Sequence, residues 1–293
     1  MTRRIKKKPV EALDPLVDSV LGPHTPPIAV VEPGETIEVE TWSALTKVTN
    51  PVTGSIRVEG AEPGDTLVVE LLDIELPGQG TVAIFPGFGS LEGWLNLLEP
   101  KIKNCEINGG KIFYETDDGR TLKIEADPFV GTIGVSPEFE AITSLSPGRH
   151  GGNMDCADVR PGNKLMLPVF RPGALFKLGD VHAAQGDGEI CGVAVEVDAV
   201  VTLKFGLKKG WTIGWPRIES PDEIMTVGSA RPLEDAARQA FREMVDWMVS
   251  DHGWEKDDAY MFLSLAAKAR IAQIVDPLYT VVAKLHKKYV GGG

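Results

Sequence analysis

Val193-Ala194-Val195-Glu196-Val197-Asp198-Ala199-Val200-Val201-Thr202-Leu203-Lys204-Phe205 reads as a β-strand with one buried side. Val193, Val195, Val197, Ala199, Val201, Leu203 and Phe205 occupy every second place, and Glu196, Asp198, Thr202 and Lys204 hold most of the others. Strand side chains alternate between faces, so the first set faces a core and the second faces solvent. On this pattern Glu196 belongs to the solvated face, although it is close enough in sequence to the glycine-rich acids before it to act with them.

Shorter strand signals lead up to it. Residues 36–40, 55–58, 66–76 and 82–85 are β-prone runs, with a Pro63-Gly64-Asp65 turn between two of them. Asn108-Gly109-Gly110 and Asp117-Asp118-Gly119 sit between further β-prone runs, as tight hairpins require. Residues 131–135 and 164–170 add two more runs. Helical signals come only afterwards. Pro232 can open a helix, with Glu234 and Asp235 suited to its N-terminus. Leu233, Ala237, Ala240, Met244 and Met248 recur at helical steps, and Gly253 can end the run. Residues 257–275 read as a second helical stretch closed by Asp276-Pro277, and 280–285 as a last strand or short helix. Strands followed by helices predict an α+β, mainly β fold. Its core is sandwich- or barrel-like, with C-terminal helices packed to one side. The expected division is a β-rich part, 1–225, and a helical part, 226–293, packed as one unit.

Composition narrows the function. The 293 residues carry a net charge of −12, which argues against nucleic acid and anionic membrane as partners. No apolar run approaches the roughly 20 residues of a membrane helix. Residues 1–8 are basic with no apolar stretch after them, so they read as a disordered lead-in rather than a secretory signal. Gly291 to Gly293 read as unstructured. The three cysteines, Cys105, Cys156 and Cys191, suit a reducing compartment, and a cytoplasmic protein is expected. There is no Walker or GxGxxG pattern to suggest a nucleotide.

Chemistry concentrates in 149–196. Arg149-His150-Gly151-Gly152-Asn153-Met154-Asp155 and Gly179-Asp180-Val181-His182-Ala183-Ala184-Gln185-Gly186-Asp187-Gly188-Glu189 set acids, imidazoles and amides among glycines. In an extended chain Asp180 and His182 share a face, as do Asp187 and Glu189. Converging with Asp155, they suit a divalent cation with nitrogen and oxygen ligands such as zinc, or calcium if oxygens predominate.

Both segments resemble the acetamidase/formamidase family. So do Leu-Pro-Val (167–169), Pro-Gly-Ala-Leu-Phe (172–176), Val-Glu-Pro-Gly-Glu-Thr (31–36), Asn-Pro-Val-Thr-Gly (50–54), Glu-Gly-Ala-Glu-Pro-Gly-Asp (59–65) and Ile-Gly-Val-Ser-Pro (133–137). Ala-Tyr-Met-Phe-Leu-Ser-Leu-Ala (259–266) and Gln-Ile-Val-Asp-Pro (273–277) complete the family's order. The resemblance implies a β-rich fold, a bound divalent metal, hydrolysis of short amides to carboxylate and ammonia, and a homodimer or higher homo-oligomer. Two departures stand out. Trp42-Ser43 follows Glu40-Thr41 where the family often has an acid two places on, and His150 occupies a place where aromatic residues also occur.

The expected site follows. Asp155, His182, Asp187 and, as the weaker candidate, His150 are metal ligands. Of Asp187 and Glu189, the carboxylate not bound to the metal is the general base, and Glu189 is preferred. A metal-activated water attacks a small amide substrate, with Asn153 and Gln185 hydrogen-bonding the amide or the oxyanion. Trp42, Phe88 and Trp94 are candidate pocket walls. Two alternatives remain: a cysteine-nucleophile amidase using Cys156 or Cys191, and a β-rich module that binds a metal or ligand without catalysis.

Overall fold

The computed structural model describes residues 2–291; Met1, Gly292 and Gly293 lie outside it. The predicted strand forms as two pieces, Glu196–Val197 and Ala199–Lys208. Every second residue from Val193 to Phe205 is buried, as the alternation predicts. The two pieces belong to different sheets, so the chain changes sheet near Asp198.

The first sheet has nine strands, in the order Arg3–Ile5, Thr36–Thr41, Ala199–Lys208, Thr66–Glu75, Lys164–Pro168, Arg217–Glu219, Glu223–Ala230, Tyr279–His286 and Lys268–Gln273. In the second, the strand Phe176–His182 is central. It pairs antiparallel with Phe129–Gly134 on one side and with Val52–Val58 and Glu196–Val197 on the other. Gly151–Asn153 extends the sheet beyond Phe129–Gly134. Three hairpin-linked strands, Lys101–Asn108, Lys111–Glu115 and Thr121–Glu125, run out from Gln79–Ile84. The two sheets share one apolar core. Ile37, Val39, Leu67 and Leu203 from the first meet Ile56, Ile133, Leu178 and Val181 from the second. Phe176 and Phe205 join the sheets edge to face, with ring centroids 5.2 Å apart.

The helices pack to one side, as expected. Leu233–His252 lays Ala236, Ala240, Met244 and Met248 against Ile224, Val281, Ala283 and Leu285 of the first sheet. Gly253 ends it in the left-handed region, φ 68, its N–H bonded to the Met248 carbonyl. Beneath the helix, Arg217 and Glu243 form a buried ion pair at 2.8 Å.

Two expectations change. Within the expected lead-in of residues 1–8, the described residues 2–8 are not disordered, because Arg3–Ile5 pairs in parallel with Thr36–Thr41. Its side chains supply the reason: Ile5 is buried, and Arg4 bonds Glu38 at 2.6 Å. The second helix stops early, at Lys256–Ala266, and Lys268–Gln273 continues as an edge strand on Tyr279–His286. Ala-Lys-Ala-Arg favours a helix locally, but an open sheet edge offers those backbone groups partners over a longer stretch. Residue 225 falls inside the strand Glu223–Ala230, so the first sheet runs unbroken across that point. Among the described residues no helix is long and apolar enough to cross a membrane.

The helix sits so low on the sheet that Gly228 has no room for a side chain. A Cβ there would lie 2.3 Å from the Ala236 carbonyl oxygen and 2.5 Å from the Ala240 nitrogen. Gly228→Ala is expected to cost about 1–3 kcal/mol in urea unfolding, because backbone cannot give way cheaply. At Gly206 the nearest atom to a Cβ is at an ordinary 3.5 Å. Gly206→Ala is therefore expected to stay within about 0.5 kcal/mol of wild type.

Candidate active site

Four pieces of the second sheet and its loops build the site. The strand Phe176–His182 presents Asp180 and His182, the turn after Gly151–Asn153 presents Asp155, the loop after His182 presents Glu189, and Glu196 begins the short strand opposite His182. The segment after Lys268–Gln273 adds Asp276. All six side chains are buried.

The imidazole is the hub. His182 Nε2 lies 3.2 Å from Asp180 Oδ1, 3.2 Å from Glu196 Oε1 and 4.0 Å from Asp155 Oδ1. Its other nitrogen, Nδ1, is 2.8 Å from Gln185 Oε1. The Gln185 amide nitrogen donates to the carbonyls of Asp155 and Ala272, at 3.0 and 3.1 Å, so its oxygen is the acceptor facing the ring. Nδ1 therefore donates to Gln185, and Nε2 is the ring nitrogen that faces the acids. Phe129 stacks edge-on against the ring at 5.0 Å and fixes its plane.

Asn153 organises the acids on the far side. Its amide nitrogen donates to Asp155 Oδ2 at 2.9 Å and to Asp276 Oδ2 at 2.8 Å. Thr132 Oγ1 bonds the Asn153 oxygen and also reaches Asp180 Oδ2 at 3.1 Å. Asn50 Nδ2 completes the group, 3.2 Å from Asn153 Oδ1. Gly131 makes room for it: a Cβ there would sit 2.6 Å from Asp155 Oδ1 and 2.9 Å from Asp180 Oδ2. Asp155, Asp180 and Glu189 all adopt positive φ, at 42, 57 and 45. Non-glycine residues rarely hold that conformation unless the surrounding structure enforces it.

Packing these acids together away from water shifts each of them. Burial pushes the Asp155 carboxyl well above its ordinary value, and the neighbouring Asp276 and Asp180 add to the effect. Burial raises Glu189 and Asp276 in the same way, with Asp155 repelling the first and Glu189 the second. Glu196 is pushed up to about 7, chiefly by burial. For Asp180 burial also works upward, but the His182 ring and the bonds from His182 and Thr132 outweigh it and hold the carboxyl low. Burial lowers the His182 imidazole, yet Glu196 and Asp180 overcome it and leave the ring well above its ordinary value.

Such a group could hold a cation. Asp155, Asp180 and His182 offer donor atoms within 4.8 Å of one another, and so do His182, Glu189 and Glu196. Asp155 Oδ1 and Glu196 Oε2 are buried with no hydrogen-bond partner, an arrangement that costs free energy unless something binds them. One imidazole nitrogen among carboxylates is a donor set a divalent metal accepts.

The residues singled out in the sequence divide. Asp155, His182 and Glu189 come together, with Asn153 and Gln185 beside them, but the amide nitrogens of Asn153 and Gln185 are already spent on protein acceptors. Asp187 does not join the group. The chain after His182 is a loop rather than a strand, so Asp187 turns outward and pairs with Arg270 at 3.0 Å. His150 is buried behind the turn joining Gly148 and Gly151 and is outside the cluster. Glu196 is a correction in the other direction. Expected on a solvated face, it is 3% exposed and faces His182, because that face of the short strand covers the site. Asp276 and Asn50 lie in the resembling motifs 273–277 and 50–54 with no local sign of a site role, and Thr132 lies in a strand that carries none either. Cys156 is buried, and burial pushes its thiol up to about 12, a poor state for a nucleophile. Burial raises Cys191 too, and its thiol donates to the Val193 carbonyl at 3.1 Å.

A mainly β scaffold holding a buried imidazole-and-carboxylate centre is the architecture of a metal-capable enzyme class. A family model for the Acetamidase/Formamidase family matches residues 138–285, and the chain belongs to that family. A crystal structure titled as an acetamidase from Yersinia enterocolitica is similar at 37% identity and a TM-score of 0.90, over 100% of this chain and 94% of that one. Another, titled as an acetamidase from Bacillus halodurans, is similar at 34% identity and a TM-score of 0.89, over 99% of this chain and 100% of that one. A putative formamidase of Schizosaccharomyces pombe is 25% identical over 64% of this chain, and the match spans only 63% of that relative's length.

His150 has a measurable signature apart from the acid cluster. Burial lowers its imidazole from 6.5 to about 4, and its Nε2 has no partner. The unfolded chain then binds a proton in the window from pH 6.5 down to about 4 that the folded chain refuses. Stability from this group is full above the window and falls as pH drops through it, by about 3 kcal/mol at the lower end. His150→Phe removes the titration, and any packing offset it adds is independent of pH. The stability difference between wild type and His150→Phe, followed by urea unfolding, is expected to move by that amount across the window.

Proposed function

We propose that this protein is an amidase that hydrolyses linear amides to carboxylate and ammonia, as the names of its relatives suggest. The observation that carries the reading is the buried His182 Nε2 facing Asp180, Glu196 and Asp155, with two carboxylate oxygens left unpartnered. The cavity above this group reaches Asn153, Asp180, Glu189, Glu196 and Asp276, so an amide can come to the acids directly.

Asp155, Asp180, His182 and Glu196 are the proposed ligands of a divalent metal, zinc before calcium because one donor is an imidazole. When bound, such a metal lowers the pKa of a water and polarises a carbonyl. Glu189 is the proposed base. It lines the cavity, and burial raises its carboxyl above the ordinary carboxylate range. It accepts a proton from the attacking water as oxygen bonds to the amide carbon. It passes that proton to nitrogen as the carbon–nitrogen bond breaks. The water thus supplies one oxygen of the carboxylic acid and one proton of the ammonia, and its other proton leaves when the acid ionises to the carboxylate. Gln185 and Asn153 act as positioning residues, the first setting the His182 tautomer and the second spacing Asp155 from Asp276.

The thiols of Cys105, Cys156 and Cys191 are free, which agrees with a reducing, cytoplasmic setting. A homo-oligomer is the proposed working form, and the exposed Leu91, Trp94 and Leu98 agree with a self-association surface. A module that binds metal without turnover is the competing reading. The cavity-lining Glu189, in surplus to the Asp155, Asp180 and His182 group, favours the enzyme.

Ammonia release from formamide and acetamide is expected to disappear on chelation and return with zinc. Full activity in protein shown to be metal-free by elemental analysis rules out the metal role. Gln185→Met is expected to weaken zinc affinity by about 10–100-fold in a competition titration, since it frees the ring that the ligand geometry depends on. Unchanged affinity means Gln185 does not position His182.

A further inference from the structure

The cavity over the acids is far larger than formamide or acetamide needs. Its volume is about 920 Å³. A four-heavy-atom amide fills roughly 100 Å³ at most, taking about 30 Å³ as one water's share of the liquid. A small amide there meets only the floor, so the walls add nothing to its orientation, and orientation is a large part of catalysis. The floor is polar and acidic. The walls are apolar: Trp42, Leu45, Phe88, Ile102 and Leu145 face the space above. No Lys, Arg or His is among its lining residues, and the charged side chains that line it are all acidic, which favours an uncharged acyl group.

The aromatic walls are braced. Trp42 Nε1 donates to the Lys8 carbonyl at 2.9 Å, and Lys7 Nζ lies 3.5 Å from the centre of its ring. Phe88 rests against Gly192, where a Cβ would lie 2.3 Å from its ring. Ser90 ties the Phe88 loop to the segment that carries Glu189, with its N–H and its hydroxyl both donating to the Ile190 carbonyl at 2.9 Å. The apolar chamber is thus attached to the proposed catalytic segment.

We propose that the preferred substrate is a neutral primary amide with a ring-sized apolar acyl group, of the arylacetamide kind, and that formamide and acetamide are poor substrates. This rests on the amidase reading above. The reaction is the same hydrolysis, and only the acyl group differs.

The test measures kcat/KM for ammonia release by the zinc-loaded full chain from formamide, acetamide, benzamide and phenylacetamide. Phenylacetamide is expected to exceed acetamide by about a hundredfold, because each added apolar group contributes when the pocket encloses it. Leu145→Trp fills the chamber and is expected to reduce that ratio at least about tenfold. As a readout independent of turnover, phenylacetamide is expected to quench tryptophan emission saturably, and Trp42→Phe to remove the quench. A kcat/KM that is highest for formamide or acetamide overturns the proposal and leaves the amidase reading standing. So does a quench that persists in Trp42→Phe beside a ratio unmoved by Leu145→Trp. Failure to release ammonia from any of the four amides overturns both.

Discussion

Several carboxylates and one imidazole crowd together in the protein interior at the floor of a cavity, and the rest of the structure answers to that cost. Like charges at this spacing repel, and burial penalises each of them. Two features keep them there. Gly131 gives up its side chain so that Asp155 and Asp180 can approach. Asp155, Asp180 and Glu189 each accept a backbone conformation that points the carboxylate inward. Gln185 and Asn153 then spend their own donors and acceptors on holding the imidazole and the acids in place.

Only a stiff scaffold can enforce such an arrangement. Paired strands on both sides of Phe176–His182 fix Asp180 and His182, and the Phe176–Phe205 contact locks that strand to the other sheet. The C-terminal region closes the site from behind. The N–H of Gly188 donates to the Ile271 carbonyl at 3.0 Å, and Arg270 pairs with Asp187 next to it. Asp187 thus serves the loop that delivers Glu189. The long helix and its buried Arg217–Glu243 pair lie over a separate apolar cluster, where they stabilise the first sheet without touching the acids.

The departure at Trp42-Ser43 has a structural counterpart. The N–H of Ser43 donates to Asp198 Oδ1 at 2.8 Å, and Asp198 pairs with Lys7 at 2.6 Å. Trp42, held by Lys7 and Lys8, becomes a wall of the cavity. The N-terminal segment therefore does more than lengthen a sheet, since Lys7 and Lys8, just after the strand Arg3–Ile5, brace one side of the chamber over the site.

The alternation from Val193 to Phe205 by itself established a one-sided strand and a mainly β core, because side-chain period follows from backbone geometry alone. Glycine-rich acids around 149–189 likewise marked a segment that supplies most of the buried imidazole-and-carboxylate cluster, and local spacing correctly put Asp180 beside His182. Local spacing could not say that Asp187 turns away, since that depends on a left-handed Glu189 and an arginine more than eighty residues later. Nor could it say that the polar face of Glu196 covers the site instead of meeting water. Asp276 and the strand Lys268–Gln273 depend on the same kind of information. A residue's partner across a sheet is set by which strands pair, and pairing is decided by burial summed over the whole chain rather than by its neighbours in sequence.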